Sequence, residues 1–161
     1  MSPRLRTLAT GAALALLTAG STLAWAQDDP ANAVKYRQTL MKANSAHLGM
    51  IGAALKGEVS FTDQIAPNAE ALAELGEMLV ANAQQMFPEG SDEAAGLKTV
   101  ALPVIWQNWA GFEAAAQRFQ QEATKLAEVA QGGDMAAIGQ QVGVLGKDGC
   151  GACHTDFRKK T

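Results

Sequence analysis

Apolar and small residues recur at steps of three and four in four separate stretches of this chain, and that spacing places each set on one face of a helix. The first stretch, at about 31–56, carries Val34, Arg37, Met41, Asn44, Leu48, Ile51 and Leu55 on its stripe. Two of these are polar, which sets the stripe apart from an ordinary core face. The second, at about 67–85, carries Ala69, Leu72, Gly76, Leu79 and Ala83, continued by Met86, with Pro67 suited to a first helical turn. The third, at about 103–131, has the clearest stripe: Ile105, Trp109, Phe112, Ala116, Phe119, Ala123 and Leu126. Gly132-Gly133 ends it, and Asp134 can cap the fourth stretch, which carries Met135, Ile138, Val142 and Leu145 and runs to about Lys159. The stretches 57–66 and 87–102 read as connections, and alternating strand patterns are nearly absent. Four helices of matched length, each with one apolar face, predict an all-α fold, an antiparallel four-helix bundle.

The start of the chain reads differently. Arg4 and Arg6 precede an apolar run, Leu8 to Leu17, and then Ala24-Trp25-Ala26, a small-x-small cleavage site. Residues 1–26 are therefore expected to be a cleaved signal peptide, and residues 27–161 the exported domain. The run is shorter than the roughly 20 residues that cross a bilayer. With no second such run, the mature protein is expected to be soluble and not inserted in a membrane. The chain has 13 basic and 16 acidic residues. Losing Arg4 and Arg6 makes the mature net charge about −5, a poor balance for binding nucleic acid.

The chemistry lies in Cys150-Gly151-Ala152-Cys153-His154, a C-x-x-C-H motif and the signature of c-type haem attachment. Positions i, i+3 and i+4 share one side of a helix, so two thiols can reach two vinyl groups while the imidazole faces the iron. A thioredoxin-like pair would need a βαβ context. A zinc site would need about four ligands, and beyond the motif only His47 is a strong candidate. A structural disulfide would leave His154 without a reason. One haem c per chain, bound through Cys150 and Cys153 with His154 on the metal, is the expected cofactor. Since the motif stands near the end of the chain, any sixth ligand must come from upstream.

With this placement, the chain resembles the cytochrome c′ family, the class II c-type cytochromes. The resemblance covers essentially the whole mature chain. It rests on Ala33-Val34-Lys35-Tyr36-Arg37-Gln38, on Ile105-Trp106, and on the run from Cys150 through Thr155-Asp156-Phe157-Arg158-Lys159-Lys160. It implies an up-down-up-down bundle, a periplasmic location and a homodimer packing through its first two helices. It also implies a five-coordinate, high-spin iron that binds nitric oxide and carbon monoxide, with nitric oxide scavenging or transport as the role. By the same resemblance Arg37 lies near a haem propionate, Met41 takes the distal position, and Arg158 sits beside the proximal imidazole, one helical turn on. Trp106 and Phe112 are expected to line the pocket, Trp109 and Phe119 to belong to the core, and His47 to lie at the surface. The distal face is taken to lack a hydrogen-bond donor.

The alternative is a low-spin electron-transfer cytochrome with Met41 as sixth ligand and a redox partner protein. An enzyme is not expected, since no distal His–Arg pair suited to splitting a peroxide stands out.

Overall fold

The computed structural model describes residues 29–160, so the expected leader lies outside the described residues. Helix α1 spans Pro30–Leu55. Asp29 caps it, its carboxylate accepting from the Ala31 amide at 2.9 Å, and Pro30 fills the first turn, where no amide donor is needed. Gly57, at φ +70°, turns the chain, and a short 3-10 turn, Thr62–Gln64, leads into α2, Ile65–Ala81.

The second helical stretch is less regular than its stripe predicts. The backbone breaks at Asn82 (φ −122°, ψ 21°) and resumes as a single turn, α3, Ala83–Met86. The third is divided as well. Val104–Gln107 forms the short α4, Asn108 leaves helical geometry, and Trp109–Gln131 forms α5. The Asn108 side chain accepts from the Gly111 amide at 3.2 Å, so it caps α5 from within what the periodicity reads as one helix.

Asp134 caps α6, Met135–Val144, by accepting from the amides of Ala136 and Ala137. A wider π-helical stretch, Leu145–Cys150, then feeds the last turn, α7, Gly151–His154. The fourth stretch therefore ends about five residues earlier than its periodicity suggests. Phe157 turns inward to 6% exposure and Arg158 forms an isolated antiparallel bridge with Ala101. The amide of Leu102 donates to Phe157 O at 3.0 Å and that of Lys159 to Val100 O at 2.8 Å. Tertiary pairing with the chain ahead of α4 thus replaces the helical bonds.

The arrangement is an up-down-up-down four-helix bundle: α1, then α2 with α3, then α4 with α5, then α6 through α7. Ile51, Leu72, Ile105, Leu126, Ile138 and Leu145 are wholly buried, so every arm contributes to one core. The pairings are uneven. The first helix packs on α2, α2 lies closest to α5, and α5 packs on the fourth arm. No comparable close approach joins α1 to α7, so the fourth edge of the bundle is not closed backbone to backbone. Gly76 helps set the close pairing: a Cβ there would stand 3.0 Å from Gln120 Cα on α5.

Candidate haem site

The Cys150–His154 turn borders this unclosed edge. Both thiols are free and half-buried, with Cys150, Ala152 and Cys153 packed against the core. Burial raises the Cys150 pKa. Burial, with the neighbouring Cys150 second, pushes Cys153 up to about 11. Both are therefore neutral thiols at pH 7. The preceding π-helical stretch carries Gly149, where a Cβ would stand 2.9 Å from Leu145 Cδ1 and 3.5 Å from Phe119 Cα. Glycine there lets the motif's backbone lie close against α5.

His154 presents accessible ring surface but is recessed enough for burial to lower its pKa, with Arg158 adding to the shift. A neutral imidazole is the form a metal requires. Arg158 Nη1 stands 3.5 Å from His154 Nδ1, at the outer limit of a hydrogen bond. The two are brought together as expected, but by a different route: Arg158 lies beyond the helix, on the bridge with Ala101, and not one turn further along it.

Arg37 lies inward, as its stripe predicts, and is held by protein acceptors. It is 3% exposed, and its Nη1 donates to Met86 O at 3.0 Å and to Ser91 Oγ at 2.7 Å. Its Nη2 donates to Ser91 O and, at 3.1 Å, to Thr99 Oγ1. All four Nη hydrogens thus meet protein acceptors, and the guanidinium carbon lies 4.5 Å from the Phe87 ring centroid. Burial lowers its pKa to about 10, with Asp92 opposing, so it remains a cation at neutral pH. Arg37 ties down the connection from Phe87 to Val100, leaving only Nε–H for any other acceptor.

Met41 is half-buried and packs against the core from α1. Phe112 is 3% exposed and stands at the centre of an aromatic group, its ring centroid 4.6 Å from Phe87, 5.4 Å from Trp109 and 5.4 Å from Phe157. Trp106 is half-buried and its indole N–H donates to Phe87 O at 3.0 Å, which fixes the ring beside the same group. Phe119 is core, as expected, whereas Trp109 is only partly buried. His47 is also half-buried, its Nδ1 2.8 Å from Asn68 Oδ1 on α2.

Three buried polar atoms lack a hydrogen bond within the described residues: Asn44 Oδ1, Asn44 Nδ2 and Trp109 Nε1. Folded chains seldom leave such groups unmet, so they mark an interior that is completed by something other than protein. Together with two neutral thiols and a neutral imidazole on one turn, they fit a haem. The polar position of Asn44 on an inward stripe was a signal in the sequence. Nothing in the sequence separates Trp109 from a core tryptophan.

A four-arm helical bundle with a Cys-x-x-Cys-His turn in its last arm defines a bundle cytochrome of the c type. The Cytochrome C′ family profile matches residues 32–158. A cytochrome c′ from Rhodospirillum rubrum is 40% identical over 147 residues, covering 91% of this chain and 94% of its own. Among solved structures, a cytochrome c′ described as having an unusual ligand-controlled dimer dissociation aligns with TM-score 0.73 and 26% identity, over 83% of this chain and 98% of its own. A nitric oxide complex of a mutant cytochrome c prime from Alcaligenes xylosoxidans aligns with TM-score 0.69 and 32% identity, over 83% and 98%. The chain belongs to the cytochrome c′ family.

Proposed function

We propose that this chain is an exported, periplasmic haem protein that binds nitric oxide and carbon monoxide at a five-coordinate, high-spin iron. One haem c is held through thioethers from Cys150 and Cys153, with His154 as the single protein ligand. When bound, the haem supplies a metal that accepts small diatomic gases. The observation that carries this reading is the bundle's unclosed edge, with the Cys150–His154 turn on the fourth arm and Met41 on the inward stripe of α1. A half-buried thioether there caps the distal face without ligating and limits entry by size. The nitric oxide complex of the Alcaligenes relative supports the choice of ligand. Nitric oxide scavenging or transport, not catalysis, is the proposed role.

Among the described residues no helix is long and apolar enough to cross a membrane. The homodimer reading is supported by Tyr36 (55% exposed) and Met78 (38%), which touch each other on the outer α1–α2 face, Tyr36 Oη donating to Met78 Sδ at 3.4 Å. The relative with ligand-controlled dimer dissociation supports it as well.

Optical spectra of the purified holoprotein, ferric and reduced, with and without nitric oxide or carbon monoxide, test the reading. Broad high-spin bands that change on adding gas are expected. Sharp low-spin bands unmoved by gas would overturn it in favour of Met41 ligation and an electron carrier with a redox partner protein.

A further inference from the structure

The gas-binding face is not purely apolar. We propose that the Asn44 carboxamide is a distal hydrogen-bond donor to a diatomic ligand on the haem iron, a role that rests on the gas-binding reading above. Asn44 follows Met41 by three residues on α1, about 60° around the helix and about 4.5 Å along it. Leu48 lies on the same inward arc, about 20° from Met41. The three side chains therefore form one short patch, two of them apolar and one polar.

That polar member is the anomaly. Both of its side-chain heteroatoms are shielded from solvent, and neither has a hydrogen bond among the described residues. The neighbouring polar groups of α1 are satisfied otherwise. Arg37, below it on the stripe, uses its Nη hydrogens on Met86, Ser91 and Thr99. His47, three residues on, meets Asn68 of α2. Thr39 donates to Lys35 O at 3.0 Å, closing its bond within the helix. Asn44 has none of these outlets, although an asparagine at mid-helix would ordinarily point to solvent or bond back to its own backbone.

A carboxamide carries two donors and one acceptor. Beside a thioether cap, it gives a site that admits a small gas by size and can then recognise it by its terminal oxygen. Met41 governs entry and Asn44 retention, so the two functions separate on adjacent residues of one helix.

Infrared spectroscopy of the reduced holoprotein with carbon monoxide tests this. Donation from Asn44 draws electron density toward the ligand oxygen and strengthens back-donation from iron, so the native C–O stretch should lie at lower wavenumber than that of Asn44→Leu. Asn44→Thr, which keeps a donor, should lie between them. Carbon monoxide should leave the Leu variant about 2- to 10-fold faster, the ratio corresponding to one neutral hydrogen bond. A second measurement needs no variant: transfer of the native complex into heavy water should shift the stretch, because the donor hydrogens exchange. A native complex that forms, but shows the same stretch in Asn44→Leu and no isotope shift, overturns the Asn44 proposal alone. A native protein that forms no carbon monoxide complex overturns both this proposal and the gas-binding reading.

Discussion

Replacing Arg37 with alanine should unfold the protein's most irregular segment first. The guanidinium reaches Met86 O, Ser91 O, Ser91 Oγ and Thr99 Oγ1, four acceptors spread over 14 positions of the connection between the second and third arms. Met86 and Ser91 are 3% and 0% exposed, so their acceptors have little access to water. A hydrogen bond to a charged group contributes about 1.5–3 kcal/mol, and a buried acceptor left unmet costs about 1–3 kcal/mol. Bonds from one side chain to one loop are not additive, and a small cavity can admit water, so the net loss should be about 3–5 kcal/mol, the range for breaking a buried charge network. For a domain of this size that corresponds to a fall in Tm of roughly 10–20 °C. Thermal unfolding of the holoprotein, followed by circular dichroism, measures it. Amide exchange should show the loss of protection concentrated between Phe87 and Val100. Arg37→Lys should recover only part of the loss, since an ammonium cannot span the acceptors as a planar fork does. A loss below about 1 kcal/mol, or an unchanged exchange pattern with a shifted reduction potential, would refute the structural role and return Arg37 to a haem propionate.

Three further outcomes follow from the site and the core. Met41→Ala should speed carbon monoxide association in flash photolysis by removing the cap, while costing only about 1–2 kcal/mol in unfolding experiments because Met41 is half-buried. The double change Cys150→Ala with Cys153→Ala should leave haem that acidified ketone extracts into the organic phase, whereas either single change should keep it on the protein through one thioether. Gly76→Ala should destabilise by up to about 2 kcal/mol on denaturant titration: alanine gains about 1 kcal/mol in helix propensity, but its Cβ would press on Gln120 Cα, and overpacking costs about 1–3 kcal/mol.

What the sequence reveals is whatever is decided locally. The placing of Cys150, Cys153 and His154 together is legible because i, i+3 and i+4 geometry is a property of a single helical turn. The arms are legible because each needs one apolar face. Features set by a second, distant segment are not. The early end of the fourth arm depends on Leu102 and Val100 receiving the chain at Phe157 and Lys159. The division at Asn108 is a border case, since an asparagine capable of capping Gly111 sits inside an unbroken stripe, and periodicity alone favours continuity. Arg37 has partners that its position alone does not announce. It lies inward as its stripe predicts, and it bonds Met86 O at the end of α3 and Ser91 and Thr99 in the connection 87–102, whose sequence carries no regular pattern to announce them. Asn44 was visible as a polar residue on an inward stripe. Only the three-dimensional inventory of donors and acceptors shows that the chain itself leaves it unmet.

The same asymmetry of side-chain size that builds the bundle also opens it. The α2–α5 pairing is the closest in the bundle, and the small buried residues Ala69 and Gly76 on α2 and Ala116 and Ala123 on α5 favour that approach, with the Phe119 ring reaching Gly76. Other residues packed on the core are bulky: Met41 and Leu48 on α1, Trp106, Trp109 and Phe112 at the start of the third arm, and Phe157 beyond the fourth. Side chains of that size hold backbones apart, and a helix pair without close approach cannot be dry and full unless something flat and apolar occupies it. The edge left without close backbone approach is the one the Cys150–His154 turn borders, and it is there that the proposed haem would lie. Gly76→Ala should therefore act first on the α2–α5 contact it touches, through Gln120 and Phe119.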